Sequence, residues 1–420
     1  MKVLLLAFEC NPNWPSLPVV GYKYALALSE KVEVCLVTQK LNRENIEKAG
    51  TGKMTVDYID IDYISEPLDR FGKWLRGDVN LGWTTQVALT YPTYVTFEKA
   101  VWHRYRERIK SGEFALIHRI TPMTPTLPSP LAKLSPIPFV LGPLNGGLDW
   151  PPQFKSMGSR EREWLKKVRK IYKIFPYAKS TLARSAAIMA SFDHTLRDIP
   201  AKYDDKTIDF PEVGFDPSLF QERQGGGGER KKVVFASRLV PLKLPEVILA
   251  AFAQSELLKG HDLIFVGDGP EKPKLEAEVR RLGLSNVTFK GWLSQKEVGA
   301  ILSQSDIFVF PSIKDLGAGA LVEAMATGLT PVAIDYGASS TLVAEDRGIK
   351  VPLGSREQLA HDFRLSLESL VSDPERLKQL GRAAQAYVMQ RMPWDIKAQK
   401  TLEIYQWVLK GRPQPKPLFW

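Results

Sequence analysis

Four consecutive glycines, Gly225 to Gly228, separate two stretches of chain that each alternate strand-like apolar runs with helical spacing. A glycine run cannot support a packed element, so residues 221–231 read as a linker. Before it, Lys2 to Phe8 is a buried-strand run, Gly21 to Ser29 has helical spacing through Tyr24, Leu26 and Leu28, and Val32 to Thr38 is a second strand. This β-α-β opening continues with runs at Thr55 to Ile61, Phe114 to His118 and Pro138 to Gly142, which makes the first half α/β with insertions. After the glycines come strands at Lys232 to Ala236, Leu263 to Val266, Val287 to Phe289, Ile307 to Phe310 and Thr330 to Ile334. Helical segments fall between them, at about Pro245 to Leu258, Glu271 to Leu282, Lys296 to Gln304 and Leu321 to Ala326. That alternation predicts a parallel, doubly wound sheet. The expected division is a first domain at 1–220, the linker, a second domain at 232–392, and a helical end at 393–420 beginning at the interruption by Pro393.

Composition narrows the function classes. The 420 residues are 44% hydrophobic and 25% charged, ordinary globular values for a chain of two domains. The net charge of +10 is a modest excess that suits phosphorylated ligands or an anionic membrane, and equally no special partner. No zinc-finger spacing, RGG run or aromatic-basic repeat accompanies it, so nucleic acid is not an expected partner. Cys10 and Cys35 are the only cysteines, too few for a disulfide framework or a cysteine metal site, and the expected compartment is the reducing cytoplasm. The opening run passes into Glu9-Cys-Asn-Pro12 rather than a small-residue cleavage site, and reads as a strand. No stretch approaches the ~20 apolar residues of a spanning helix, so any membrane contact is expected to be peripheral, on the inner face.

The richest chemistry lies in Phe310-Pro-Ser-Ile-Lys-Asp-Leu-Gly-Ala-Gly-Ala-Leu-Val-Glu-Ala-Met-Ala-Thr-Gly328, which joins a strand to a small-residue helix. Gly317 and Gly319 let the backbone approach a ligand, and the N–H groups of a helix start favour a diphosphate. Asp315 and Glu323 can accept hydrogen bonds from the vicinal hydroxyls of a sugar and a ribose. Arg238 and Lys243, in the turn Ser237-Arg-Leu-Val-Pro-Leu-Lys243, supply two cations for the same diphosphate or else form a solvated basic loop. In the first half, Gly21 follows the loop Asn11 to Val20 and can bring backbone N–H groups to the phosphates. His118, ending a strand, either positions a substrate hydroxyl or is structural. Gly142-Pro-Leu-Asn-Gly-Gly147 and Gly267-Asp-Gly-Pro270 are further strand-end turns. No G-x-G-x-x-G opens the first helix, and there is no Walker A sequence, no G-x-S-x-G elbow and no spaced metal-ligand cluster.

Residues 161–175 form an amphipathic pattern, with Trp164, Leu165, Val168, Ile171, Tyr172 and Phe175 on one face and Lys166, Lys167, Arg169, Lys170 and Lys173 on the other. Such a helix either lies on an anionic membrane surface or packs on its own domain with a solvated basic face.

These pieces resemble the retaining GT-B glycosyltransferases of family 4. The likeness is specific from Val233 to Gly354, in Ser237 to Lys243, Val266-Gly-Asp-Gly-Pro270, Phe289-Lys-Gly-Trp292, Phe310-Pro-Ser312 and Glu323-Ala-Met-Ala-Thr-Gly328, all in the family's order. It is looser over 1–220, where it rests on the first strand, Gly21, His118 and Val213-Gly-Phe-Asp216. The resemblance implies two facing Rossmann-like domains with an inter-domain cleft, the first on the acceptor side, the second binding the nucleotide sugar, and a terminal helix crossing back to the first. It also implies transfer from a UDP- or GDP-sugar to a saccharide or lipid-linked saccharide, in cell-surface polysaccharide or glycolipid synthesis, without a metal or other cofactor. On that likeness Arg238 and Lys243 bind the diphosphate, Glu323 the ribose, Asp315 the transferred sugar and His118 one of its hydroxyls. Three departures stand out: Asp315 where the family has the longer Glu, Leu316-Gly-Ala-Gly319 for Gly-Phe-Gly, and Val20-Gly21 for Gly-Gly. The alternatives are a non-catalytic nucleotide-sugar-binding protein and a nucleotide-sugar epimerase on the same fold.

Overall fold

A computed structural model describes residues 1–65, 67, 68, 83–155, 157, 175–223 and 228–420. The chain divides into two compact units, the first formed by Met1–Gly147, Lys155–Glu212 and Trp394–Trp420, the second by Leu148–Phe154 and Val213–Pro393.

The first unit is built on a seven-stranded sheet in the order β3-β2-β1-β4-β5-β6-β7. Its strands are β1 Lys2–Ala7, β2 Glu33–Gln39, β3 Thr55–Ile59, β4 Leu116–Thr121, β5 Phe139–Leu144, β6 Ala187–Ala190 and β7 Thr207–Asp209. Every neighbouring pair is parallel. Strands of such a sheet are covered on both faces, which is why Val3 to Ala7 is an unbroken apolar run with each residue 0% exposed. The long helix Trp83–Lys110 contributes Tyr94, Phe97, Val101, Tyr105 and Ile109 to the core on one face of the sheet. The helix Trp394–Leu409 joins this unit, where Thr401 Oγ1 lies 2.5 Å from the Tyr24 hydroxyl on the helix Leu17–Ser29. Strands β6 and β7, only four and three residues long, had no periodic signature to announce them.

The second unit carries a six-stranded parallel sheet, ordered β10-β9-β8-β11-β12-β13. The strands are β8 Lys232–Ala236, β9 Asp262–Val266, β10 Val287–Phe289, β11 Ile307–Phe310, β12 Thr330–Ile334 and β13 Ile349–Val351. The helix expected over Pro245 to Leu258 is two helices, Pro245–Ala253 and Glu256–Lys259, because the Ser255 side chain accepts from the Leu258 N–H and starts a new turn. In both sheets strand order reverses once, between β1 and β4 in the first and between β8 and β11 in the second. Loops leaving the carboxyl ends of such strand pairs splay apart and leave room for a ligand.

The division of the chain differs from the expected boundary at 220/221. Residues 213–220 pack with the second unit: Phe215 N–H donates to the Met392 carbonyl at 3.2 Å, and a Cβ on Gly299 would lie 2.1 Å from the Leu219 carbonyl oxygen. Leu148–Phe154 also belongs there, since the Tyr336 hydroxyl donates to the Asp149 carbonyl and Lys314 Nζ stands 4.3 Å from the Trp150 ring centre. Three of the four linker glycines, and the basic helix expected over 161–175 apart from Phe175, lie outside the described residues.

Candidate active site

The loops after β8 and β11 meet at the reversal of strand order in the second unit. After β8 the chain runs through Ser237 to Leu244, held from below by the turn after β9. Ser237 N–H donates to the Val266 carbonyl at 3.0 Å and Leu239 N–H to the Asp268 carbonyl at 2.8 Å. That approach demands glycine: at Gly267 (φ 126°) a Cβ would sit 2.0 Å from the Ser237 carbonyl oxygen, and at Gly269 (φ 156°) 2.3 Å from that of Leu239. The stacked turns leave Arg238 exposed, with no side-chain partner among the described residues.

Lys243 ends the short 3-10 turn Pro241–Lys243 and is buried to 7% exposure. Its ammonium pairs with the half-buried carboxylate of Asp315 and stands 5.5 Å from the Phe310 ring centre. The Ile313 N–H donates to the Leu242 carbonyl at 3.1 Å, so the two loops are joined by backbone as well as by charge. The other Asp315 oxygen accepts from the Ala318 N–H at 2.9 Å. Ala318 is left-handed (φ 53°), and the helix Gly319–Ala326 starts immediately after it. The shorter acid is therefore drawn onto its own loop, where it caps the turn ahead of the helix and neutralises Lys243 together. The N–H groups of Gly317, Gly319 and Ala320 have no partner among the described residues. The Ser312 hydroxyl on the same loop is buried without one.

Glu323 lies one turn into the helix Gly319–Ala326, half-buried, and accepts from the Gln295 side chain at 2.8 Å. Gln295 opens the helix Gln295–Leu302 behind a capping box of Ser294 and Glu297. Its partnership with Glu323 had no local signal, because 28 residues separate the two. Chemically, this set offers one exposed guanidinium, one ammonium held by a carboxylate, free backbone donors at a helix start, and a second carboxylate farther along the helix. The helix-start donors and the cations favour an anion. The carboxylates favour hydroxyls.

The site residues expected in the first unit do not present themselves in that way. His118 is central in β4, beside Leu5 of β1 and Val140 of β5, and is 0% exposed. One ring nitrogen lies 2.5 Å from the Tyr405 hydroxyl, and the other lies 2.6 Å from the Gly142 carbonyl oxygen. Burial pushes its pKa down to about 3, so the ring is neutral, with both nitrogens committed inside the protein. The expected contact with a sugar hydroxyl is corrected accordingly: His118 is a core histidine. Gly21 is corrected as well. It is the fifth residue of the helix Leu17–Ser29, past the free donors of the first turn, and a Cβ there would lie 2.5 Å from the Glu9 carbonyl oxygen. Its missing side chain makes room for protein backbone. Two first-turn donors are used too, Val19 N–H by the Trp14 carbonyl and Val20 N–H by that of Ser16.

Among the described residues, no group of three His, Cys, Asp or Glu side chains is placed to hold a metal ion, and no helix is long and apolar enough to cross a membrane.

The family described as Glycosyl transferases group 1 matches residues 219–387. A D-inositol 3-phosphate glycosyltransferase of Segniliparus rotundus is 30% identical over 216 residues, 49% of this chain and 44% of the relative. An alpha-maltose-1-phosphate synthase of Mycolicibacterium smegmatis is 30% identical over 215 residues, 48% of this chain and 54% of the relative. The chain thus spans about half the length of these curated relatives. Among solved structures, a sucrose-phosphate synthase from Thermosynechococcus elongatus superposes with a TM-score of 0.65 at 17% identity, covering 98% of this chain and 99% of its own. HepE from Anabaena, in complex with UDP and glucose, superposes at 0.59 and 18% identity, covering 96% and 98%. At these identities the likeness is one of fold, the GT-B combination of two Rossmann-like α/β units.

Proposed function

Residues 219–387 form a unit of the glycosyl transferases group 1 family, and on that premise we propose that the chain transfers a sugar, with retention, from a UDP- or GDP-sugar to a saccharide or lipid-linked saccharide. The observation that carries this reading is the meeting of Lys243 and Asp315 beside N–H groups of Gly317, Gly319 and Ala320 that have no partner among the described residues, where strand order reverses. A diphosphate there takes hydrogen bonds from the helix start, draws Lys243 partly away from Asp315, and receives Arg238 from the exposed loop. Asp315 is then released toward hydroxyls of the transferred sugar, and Glu323 toward those of the ribose.

In the reaction, the bond from the anomeric carbon to the phosphate oxygen breaks, and the bond to the acceptor oxygen forms on the same face. The acceptor proton passes to the departing phosphate. The cations and helix-start donors stabilise the charge that grows on the diphosphate, a role that calls for no metal ion. The sites of action proposed are the cytoplasm and, through residues 161–175, the anionic inner face of a membrane, in polysaccharide or glycolipid synthesis.

A thermal-shift screen of UDP, GDP and their sugars tests the reading, because a ligand that binds the folded state alone raises its melting temperature. Stabilisation by one nucleotide series, followed by transfer or slow sugar-nucleotide hydrolysis that persists in EDTA, is expected. No stabilisation by any of them would remove the proposal. One observation favours a second reading, a nucleotide-sugar-binding protein without turnover: His118 is committed to the core and offers no nitrogen to the sugar. Stabilisation by a nucleotide sugar with no turnover on any donor would select that reading.

A further inference from the structure

Just past the carboxyl end of β1 stands an acid that no pairing among the described residues explains. Glu9 lies two residues past the end of β1, next to the end of β4, at the reversal of strand order in the first unit. Its backbone is clamped. The Glu9 N–H donates to Thr121 Oγ1 at 3.0 Å, that hydroxyl donates back to the Glu9 carbonyl at 2.9 Å, and Gly21 presses against the same carbonyl. The loop beyond is fixed by a ladder of side-chain amides. Asn11, fully buried, accepts from the Asn13 N–H and from Asn45 Nδ2, both at 3.1 Å, and donates to Asn42. Asn42 and Gln39 in turn donate to the Phe8 carbonyl, at 3.3 and 2.9 Å.

On this rigid frame the Glu9 carboxyl is half-buried and has no hydrogen-bond or ion-pair partner among the described residues. Burial alone pushes its pKa up, a cost the fold carries without a compensating contact. Five residues on, Trp14 is 45% exposed on the same ordered loop. A phosphate is a poor occupant here, because it would face a carboxylate with no cation beside it among the described residues. A neutral polyol is a good one: adjacent hydroxyls donate to the carboxylate, and the C–H face of a sugar ring packs on an indole.

We propose that Glu9 is the acceptor-binding carboxylate, receiving a vicinal diol of a neutral sugar or cyclitol ring whose apolar face lies on Trp14. The proposal rests on the glycosyltransferase reading for the word acceptor, and on the first unit alone for the polyol. The hydroxyls replace the water lost on burial and satisfy both carboxylate oxygens, so the ligand contributes what the fold leaves out. The chemistry is complementary to the second unit: cations and backbone donors there, a lone anion here.

The experiment uses the full chain and four neutral probes: the methyl α-glycosides of glucose, mannose and galactose, and myo-inositol. Their binding is followed by saturation-transfer NMR, with and without UDP or GDP, in the wild type, Glu9→Gln and Trp14→Ala. At least one probe should bind the wild type and lose about tenfold in affinity in Glu9→Gln, the size of a charge-assisted hydrogen bond, with nucleotide binding unchanged. Trp14→Ala should weaken the same probe. Glu9→Gln should melt no lower than the wild type at pH 7. A carboxyl with a raised folded pKa contributes stability only in its protonated form, and that contribution is lost as pH rises through the raised value. Equal probe binding by the wild type and Glu9→Gln overturns the proposal, as does a wild type that binds nucleotide but no probe. If sugar binding depends on Glu9 while neither UDP nor GDP binds, the polyol site stands and the glycosyltransferase reading falls.

Discussion

The two units share a strand order up to the seventh strand, yet they use their reversal points differently. In the second unit the loops after β8 and β11 bring side chains of opposite charge together, Lys243 and Asp315, beside open backbone donors. In the first, the positions with functional promise, Gly21 and His118, are consumed by packing, and an acid with no partner among the described residues stands in their place. The same topology thus offers a charged, anion-seeking site in one unit and a sparse, hydroxyl-seeking one in the other. Topology sets where a ligand can sit, and the loop residues decide which ligand.

The contrast is most exposed to attack at Lys243. Lys243→Ala removes a cation and leaves a half-buried carboxylate alone on the loop, so transfer or sugar-nucleotide hydrolysis should fall by roughly 10²–10³-fold, measured as kcat/KM. Unchanged turnover would erase the distinction between the units. Next in size is His118→Ala, expected to cost about 2–4 kcal/mol of stability in urea unfolding, because the Tyr405 hydroxyl and the Gly142 carbonyl lose their partner inside the core. Nucleotide affinity should not move.

That loss should itself depend on pH. The ring stays neutral in the fold down to about pH 3 but binds a proton near pH 6.5 when unfolded, so native stability falls as pH drops through that window. The variant lacks this dependence, and the gap between the two proteins should be widest at pH 7 and shrink toward pH 4. A gap independent of pH would mean that His118 titrates in the fold as it does in the unfolded chain, with no cost from burial. The smallest effect is expected from Gly21→Ala, about 1–3 kcal/mol from forcing a Cβ toward the Glu9 carbonyl, again with nucleotide binding intact. A drop in nucleotide affinity instead would return Gly21 to the phosphates.

What was legible in the sequence follows the same line between the units. In the second, β8, β10, β11 and β12 fall where their apolar runs end, and Arg238, Lys243, Asp315 and Glu323 lie on the loops and the helix that follow β8 and β11. There, placement is written locally, since it needs only the end of a strand and the residues just after it. His118 was open between two roles because its partner Tyr405 lies 287 residues away, on a helix whose docking no local pattern specifies. Gly21 was read through a helix start that begins four residues earlier, and its true neighbour is the backbone of another loop. Asp315 was recognised as a short acid, but not as one tied down by Ala318, because that contact needs a left-handed turn at a residue other than glycine. Glu9 was passed over for the opposite reason. Its significance lies in having no partner among the described residues, which only the fold reveals.

The seven residues Leu148–Phe154 have a consequence for how such a chain can be recombined. They are spelled in the first half of the gene product yet fold with the second unit, while Trp394–Trp420 is spelled last and folds with the first. A chimera joined at the glycine run would therefore inherit two mismatched pieces, a foreign Trp150 beside Lys314 and a foreign terminal helix against Tyr24. Exchange of the second unit between relatives is then constrained to four coordinated junctions, or to substitutions within its loops. Loop substitution is the shorter route by which this architecture can diversify.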